Sequence, residues 1–308
     1  MSIRLGEVTD LPQIRHLLRS SRSYLNAGLE DLPSLLNKAV TVVGEDKRGE
    51  LWGFLAFQIE SRPQTLPVTA ATRVSLRGAA VVQTLFSGPR LPRLIDASLG
   101  ELQQSACPLQ LFALPSHGWL VSALQQSGFR EVDQIRFYVR TQRDLPDFPS
   151  PAQLRPVQEA DLDRLAHLDS ETFEPLWHMG RTDLLQLCFT ARVQVAEVED
   201  QLVGYTATAV YAESSHPFAR SEAQIVRIAV HPSRQGQGIG RQLLADSIGY
   251  AHSQSVYQIQ LNTQESNNAS QRLYKSFQFR TQGSNVPVLL LNLPGRSGSG
   301  LVTGDEDV

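Results

Sequence analysis

Cysteine is almost missing from this chain. Its two thiols, Cys107 and Cys188, form no CxxC pair, which argues against a disulfide framework or a zinc knuckle and suits a reducing compartment. Positive charge is not in excess either. Lys and Arg number 28 against 31 Asp and Glu, a net charge of −3, so no basic field exists to draw in nucleic acid or an anionic membrane. No apolar run reaches the ~18 residues of a membrane span, and the opening MSIRLGEVTD has none of the apolar core of a secretory signal. His, Cys and Asp nowhere gather at metal-ligand spacing. These absences predict a cytoplasmic protein with no metal, no nucleic-acid partner and no membrane partner.

What is present is a repeat. The 308 residues, 41% of them hydrophobic, suffice for two cores. IRLGEVTDLPQIRHLL from Ile3 and LRPVQEADLDRLAHL from Leu154 superpose at a shift of 151, setting Arg4 on Arg155, Asp10 on Asp161 and His16 on His167. The same shift lays LWGFLAF on LVGYTAT, with Gly53 on Gly204, and near the ends a shift of 150 sets Phe129 on Phe279. A nearly constant offset along the chain reads as an internal duplication. Each copy opens on a short strand, an acidic N-cap region and an amphipathic helix. The proline-bearing TQRDLPDFPSPAQ reads as a linker. The expected division is a first domain over 1–140, a linker over 141–153, a second domain over 154–293 and a disordered, glycine-, serine- and acid-rich tail over 294–308.

In the second copy a strand and two helices precede the hairpin VQVAEV and LVGYTATAVY; then come the long strand AQIVRIAV, a helix, the alternating strand VYQIQLNT, another helix and a final strand pair. Such an order predicts an α+β fold, a mixed and mostly antiparallel sheet flanked by helices. At VHPSRQGQGIGRQLL, Gly236, Gly238 and Gly240 stand between the long strand and the helix after it. The first turn of a helix has unpaired N–H donors and a positive dipole end, and glycine removes the β-carbon that would keep an anion from the main chain. The GxGxG spacing misses the GxGxxG of a dinucleotide fingerprint, and no GxxxxGK[ST] loop occurs.

At these residues the chain resembles the GNAT superfamily of acetyl-CoA-dependent N-acetyltransferases. Gln235, Gly238 and Gly240 occupy the fixed positions of its Q/R-x-x-G-x-G/A coenzyme A signature. NNASQRLYKSFQF resembles its N-x-x-A-x-x-L-Y-x-x-x-G-F landmark, with Asn267, Leu273, Tyr274 and Phe279 in place. The resemblance implies that the coenzyme A pyrophosphate lies on the amides of Gln235, Gly236, Gln237, Gly238, Ile239, Gly240 and Arg241. The pantetheine arm would pair with the main chain around Ile228, Ala229 and Val230. Asn267 would hydrogen-bond the cofactor, and the Tyr274 hydroxyl would face the sulfur.

Acetyl transfer to an amine needs a neutral amine, a polarised carbonyl and a stabilised leaving thiolate. Tyr274, a phenol that keeps its proton near pH 7, is read as the general acid; a core tyrosine on an apolar helix face is the competing account. A main-chain N–H between Ile228 and Val230 would polarise the carbonyl. For the base, the ribosomal-protein alanine N-acetyltransferases of this superfamily carry a glutamate where this chain has Asn262. Glu222 is the expected replacement, set against a solvated strand-end charge, with Glu197 and a water relay as further options. Gln278 stands where the family has glycine, so the turn there is expected to change. His231 and His167 read as structural. Arg234, Arg241 and Lys275 are within reach of cofactor phosphates or belong to solvated surface. Phe173 and Trp177 fall where an acceptor pocket would lie, and a helix pair burying its aromatics accounts for them equally.

The function expected from this resemblance is an N-acetyltransferase moving an acetyl group from acetyl-CoA to a primary amine of an unidentified small molecule, protein or peptide. The alternative is a coenzyme A-binding sensor or scaffold without catalysis. The first copy departs from the pattern. It has Gly88 followed by Pro89 and Pro92, with His117 and Leu124 at the places of Asn267 and Tyr274. Proline lacks the N–H a phosphate would use, so this copy is expected to be degenerate, keeping the fold without the usual acetyl-CoA binding.

Overall fold

The structure, a computed structural model, describes residues 2–26, 28–61, 63, 65–67, 70–82, 90–145, 149, 151–211 and 221–295. The first repeat runs β1 (Ser2–Leu5), α1 (Leu11–Ser20), β2 (Arg22–Leu25), α2 (Leu32–Lys38), β3 (Ala39–Glu45), β4 (Leu51–Ile59), β5 (Thr72–Val81), α3 (Arg90–Leu102), β6 (Leu109–Ala113), α4 (Gly118–Gln126) and β7 (Arg130–Arg140). The second runs β8 (Gln153–Pro156), α5 (Leu162–Thr172), α6 (Arg181–Thr190), β9 (Arg192–Val198), β10 (Gln201–Tyr211), β11 (Glu222–Val230), α7 (Ile239–Ser253), β12 (Gln258–Gln264), α8 (Asn268–Ser276), β13 (Arg280–Thr281) and β14 (Val286–Leu293). The α+β class and the mostly antiparallel sheets are as the sequence led us to expect. The parallel pairs are β5 with β6 and β11 with β12.

The chain forms two compact units, and their bounds do not follow the division at 141–153. The first unit has the strand order β1-β3-β4-β5-β6-β14; the second has β7-β12-β11-β10-β9-β8. Each repeat therefore surrenders its last long strand. β14 pairs antiparallel with β6 from Leu289–Ala113 to Leu293–Leu109, and β7 pairs with β12 from Ile259–Arg140 to Gln264–Ile135. An unpaired edge strand is a liability, and here the other repeat's final strand covers it. The tail from residue 296 and the segments 83–89 and 212–220 lie outside the described residues.

Within each unit two helices cover each face of the sheet. In the second, α5 and α6 bury Leu162, Leu165, Leu168, Leu184 and Leu187 against Val193, Val195, Tyr205, Ala207 and Ala229. On the other face α7 turns Ile239, Leu243, Leu244, Ile248 and Ala251 inward, a helical stripe. Alternation along the strands separates these sets. The matched glycines have a packing reason. A β-carbon at Gly204 would lie 2.8 Å from the Ala229 carbonyl oxygen and 3.2 Å from Leu243 Cδ1; at Gly53 it would lie 2.9 Å from both the Ala80 oxygen and Leu94 Cδ1. The helix after the long strand presses a leucine onto the hairpin in both copies.

The duplication extends to an ion-pair cluster. Arg4 bonds Asp10 at 2.8 Å and Glu45 at 2.9 Å; Arg155 bonds Asp161 at 2.7 Å and Glu197 at 2.6 Å. In each copy the aspartate also accepts the main-chain N–H three residues earlier, from Glu7 or Gln158, at 2.9 Å. Bonding to Arg155 holds the Asp161 carboxyl down at about 2, below its ordinary 3.8. Each opening strand is thus tied to its helix and to the neighbouring strand by one arginine.

Candidate functional site

The two halves of the second unit's sheet part company along β11. β11 and β12 pair only over Glu222–Gln258, Ala223–Ile259 and Gln224–Gln260. Beyond that, β12 stays with β7 and β11 with β10, through a bulge at Val226, as far as Val230–Gly204. From Ile225 to Val230, the β12-facing edge of β11 has no strand partner among the described residues. The main-chain groups around Ile228, Ala229 and Val230 therefore open onto a wedge.

At the foot of that wedge the chain turns into α7. Gly236 and Gly238 have φ of +77° and +89°, left-handed values that glycine adopts freely. Gly238 is the N-cap residue, and the helix begins at Ile239, which is buried. The amides of Gly236, Gln237, Gly238, Ile239, Gly240 and Arg241 donate to no group among the described residues, whereas the Gln242 amide closes on the Gly238 carbonyl at 3.1 Å. A β-carbon at Gly236 would meet nothing within 4 Å. Gln235 folds back, its Nε2 donating to the Val230 carbonyl at 3.0 Å, and Gln237 Nε2 reaches the Ser233 carbonyl at 3.4 Å. Arg241 is exposed. A run of unpaired N–H groups at the positive end of a 15-residue helix fits a phosphate group.

Asn267 and Tyr274 bracket α8. Asn267 caps the helix, its Oδ1 accepting from the Ser270 amide at 3.0 Å, which leaves its amide nitrogen to donate elsewhere. Tyr274 is buried against Tyr138 and Phe279, at ring separations of 5.8 and 6.1 Å. Burial pushes its phenol up to about 12, against the lowering effect of a hydrogen bond with Ser270. Both accounts of this residue meet in one place: it is a core tyrosine, and one that holds its proton firmly. The turn after the helix keeps its shape despite Gln278. That residue takes φ +62°, the left-handed form that Gly128 takes at +95° in the first copy. The expected change at that turn does not occur, at a cost of about 1–2 kcal/mol for a residue with a β-carbon.

The structure does not bring the proposed bases to the wedge. Glu222 sits six residues before Ile228, about 20 Å away along a strand. Its carboxylate is bound by the side-chain amides of Gln258 and Gln260. Glu197 is spent in the Arg155 cluster. Asn262 is exposed on β12, opposite Phe137. His231 joins Ser233 to Glu171, with Nε2 2.9 Å from the carboxylate, and Arg234 lies 3.6 Å from Glu199.

Sequence reasoning missed the residues with the densest polar contacts. Asp169 of α5 is fully buried; it accepts from Tyr205 Oη at 2.5 Å, Arg227 Nε at 2.9 Å, Arg227 Nη2 at 2.7 and 2.8 Å, and the Met179 amide at 2.7 Å. Arg227 also donates to the Trp177 carbonyl at 2.6 Å and lies over the Phe173 ring, 3.6 Å from its centroid. So Phe173 and Trp177 do face this side of β11, through a ring face and a carbonyl. These partners lie 36 to 58 residues apart and form no motif. A signal did exist: the repeat offset puts Leu18 and Phe54 at the places of Asp169 and Tyr205. Tyr138 was missed because it belongs to the other repeat.

Among the described residues no helix is long and apolar enough to cross a membrane, and no three His, Cys, Asp or Glu converge as metal ligands. Residues 162–279 match the acetyltransferase (GNAT) family. The chain is 26% identical over 244 residues to an uncharacterized protein of Mycobacterium leprae, covering 74% of this chain and 66% of that one. It is 28% identical over 223 residues to mycothiol acetyltransferase of Acidimicrobium ferrooxidans, covering 66% and 69%. The matched regions thus span about two thirds of these relatives' own lengths. Among solved structures, the tandem GNAT protein from the clavulanic acid biosynthesis pathway aligns with a TM-score of 0.60 at 12% identity, over 94% of this chain and 98% of that one. That is a likeness of fold, and it embraces both units. With an open strand edge leading to a helix start whose amides are unpaired among the described residues, inside the span that matches the family, the second repeat belongs to the GNAT acetyltransferases and is an acyltransferase domain.

Proposed function

We propose that the second unit moves an acetyl group from acetyl-CoA to a primary amine of a small molecule, protein or peptide. The observation that carries this reading is the continuity of the open β11 edge with the amides from Gly236 to Arg241, which donate to no group among the described residues. An extended arm with amide groups matches the first, and a diphosphate matches the second. Acetyl-CoA supplies the activated thioester; the chain supplies position, which by itself contributes much of such an acceleration.

The β11 edge around Ile228–Val230 would orient the arm and offer an N–H to the carbonyl oxygen. The loop amides, with the spare donor of Asn267, would hold the cofactor's far end. Tyr274, kept protonated by burial, would release its proton to the departing sulfur. The base role passes to solvent in this reading, because Glu222 and Glu197 are both engaged away from the wedge. The test pairs calorimetric titration of coenzyme A with thiol release from acetyl-CoA across a panel of amines. Tyr274→Phe should cut kcat by about 100-fold and leave coenzyme A affinity within a factor of three. Unchanged turnover would remove the acid. Coenzyme A binding with no thioester consumed by any amine would favour the non-catalytic sensor or scaffold.

A further inference from the structure

The two copies treat one position in opposite ways. In the second, buried Asp169 and Tyr205 and part-buried Arg227 make an ionic cluster between α5 and the sheet. In the first, register places Gly78 opposite Ala56 just as Arg227 stands opposite Ala207, beside an equivalent bulge. The partners there are Leu18 and Phe54, and the Phe54 ring fills the space: a β-carbon on Gly78 would lie 3.1 Å from its Cε2. The same fold is thus held by a purely apolar cluster. Burying an ion pair seldom gains stability over apolar packing, so the charges in the second copy call for another reason.

The chain after the first helix supplies one. In the first copy it forms β2, which lies along the free edge of β5, from Arg22–Val81 to Leu25–Gly78. Tyr24 is buried there, and its hydroxyl donates to the Leu114 carbonyl at 3.4 Å, across the gap where β5 and β6 separate. The wedge of the first copy is plugged by its own chain. In the second copy the corresponding residues, 173–176, join no strand ladder among the described residues. Phe173 is pinned beneath Arg227, and the 3-10 turn Pro175–Trp177 ends on a carbonyl that Arg227 holds. Asp169 holds the Met179 amide beyond it. Pro175, in the place of Tyr24, removes one ladder donor, but a ladder can still form around it.

We propose that Asp169, Arg227, Tyr205 and Phe173 form a clamp that holds residues 173–179 off the edge of β11 and keeps the wedge open. The inference rests on reading that wedge as the coenzyme A groove. These are positioning residues: they act through the segment they restrain. The test gives the second copy the first copy's residues at two of the three cluster positions, as the double variant Asp169→Leu, Arg227→Gly in the full chain, with Tyr205→Phe added in a triple variant and Asp169→Asn as an isosteric companion. Two readouts are taken, calorimetric affinity for coenzyme A and amide hydrogen exchange over 225–230.

The double variant should fold, lose at least tenfold in coenzyme A affinity, and gain exchange protection over 225–230 as the freed segment pairs with the edge. Asp169→Asn should move both readouts in the same direction by a smaller factor, and Arg227→Lys should fall between wild type and the double variant. A folded double variant with affinity and exchange like wild type would overturn the clamp. So would failure of both the double variant and its Tyr205→Phe derivative to fold, which would make the charges a requirement of the fold. Absence of coenzyme A binding in the wild-type protein would sink the cofactor reading instead, and the exchange measurement would still decide the clamp.

Discussion

In the first unit the gap where β5 leaves β6 holds a strand, a buried tyrosine and no ion pair among the described residues; in the second the equivalent gap along β11 holds no strand among the described residues and is overlooked by a buried aspartate paired with a part-buried arginine. Around these gaps the copies agree closely. Both have the arginine–aspartate–glutamate cluster at the opening strand, the bulge on the long strand and the glycine under the following helix. What a GNAT-like unit needs in order to fold is therefore separable from what it needs in order to hold a ligand. The shared features answer to sheet and helix packing. The divergent ones, Gly78 against Arg227, Leu124 against Tyr274 and Tyr24 against Pro175, all surround the gap or the helix beside it.

That contrast can be broken most severely by separating the copies. Residues 154–293 expressed alone lack β7, and with it Tyr138, which packs on Tyr274, and Arg140, which donates to the Phe277 carbonyl at 3.0 Å. The fragment should show no cooperative unfolding in calorimetry, while the full chain does. A stable fragment would mean that the strand trade is dispensable. A smaller loss tests the plug. Tyr24→Ala should destabilise the first unit by about 3 kcal/mol in denaturant titration and give it no coenzyme A affinity, because opening a wedge does not create a helix start with free amides. Acquired binding would show that the plug alone distinguishes the copies.

The smallest effect concerns what the copies share. With Asp161 held at about 2 against an ordinary 3.8, its stabilising contribution is complete above about pH 5 and is lost as pH falls toward 2. Asp161→Asn should remove roughly 2 kcal/mol at neutral pH and flatten the acid limb of the stability profile. Asp10→Asn, with the matching arginine and main-chain partners in the other copy but no counterpart of Arg164, should act in the same direction. A flat acid limb in the wild-type protein would deny that the cluster carries stability.

Much of this architecture was legible beforehand. Local pattern is enough to place a strand, a glycine turn and a helix in order, because hydrophobic periodicity and φ preferences act over a few residues. Asn267 was readable as a special residue, and the structure adds its capping bond to Ser270. Glu222 misled because one-letter distance along a strand says nothing about which end faces the wedge. The cluster of Asp169, Tyr205 and Arg227 could have been suspected by comparing the copies, since polar residues there replace Leu18 and Phe54, but its geometry could not. β2 was equally hidden: RSYL is an ordinary short run until the edge it covers is known.

By itself, then, the order of residues determined the duplication, the α+β class, the glycine turn into α7 and the tyrosine helix, all of them short-range or periodic properties. Tertiary structure alone decided that the repeats trade their last strands, that one wedge is filled and the other open, and which carboxylates are already engaged. Those outcomes depend on pairing between segments tens to hundreds of residues apart, where edge complementarity and burial outweigh any local preference.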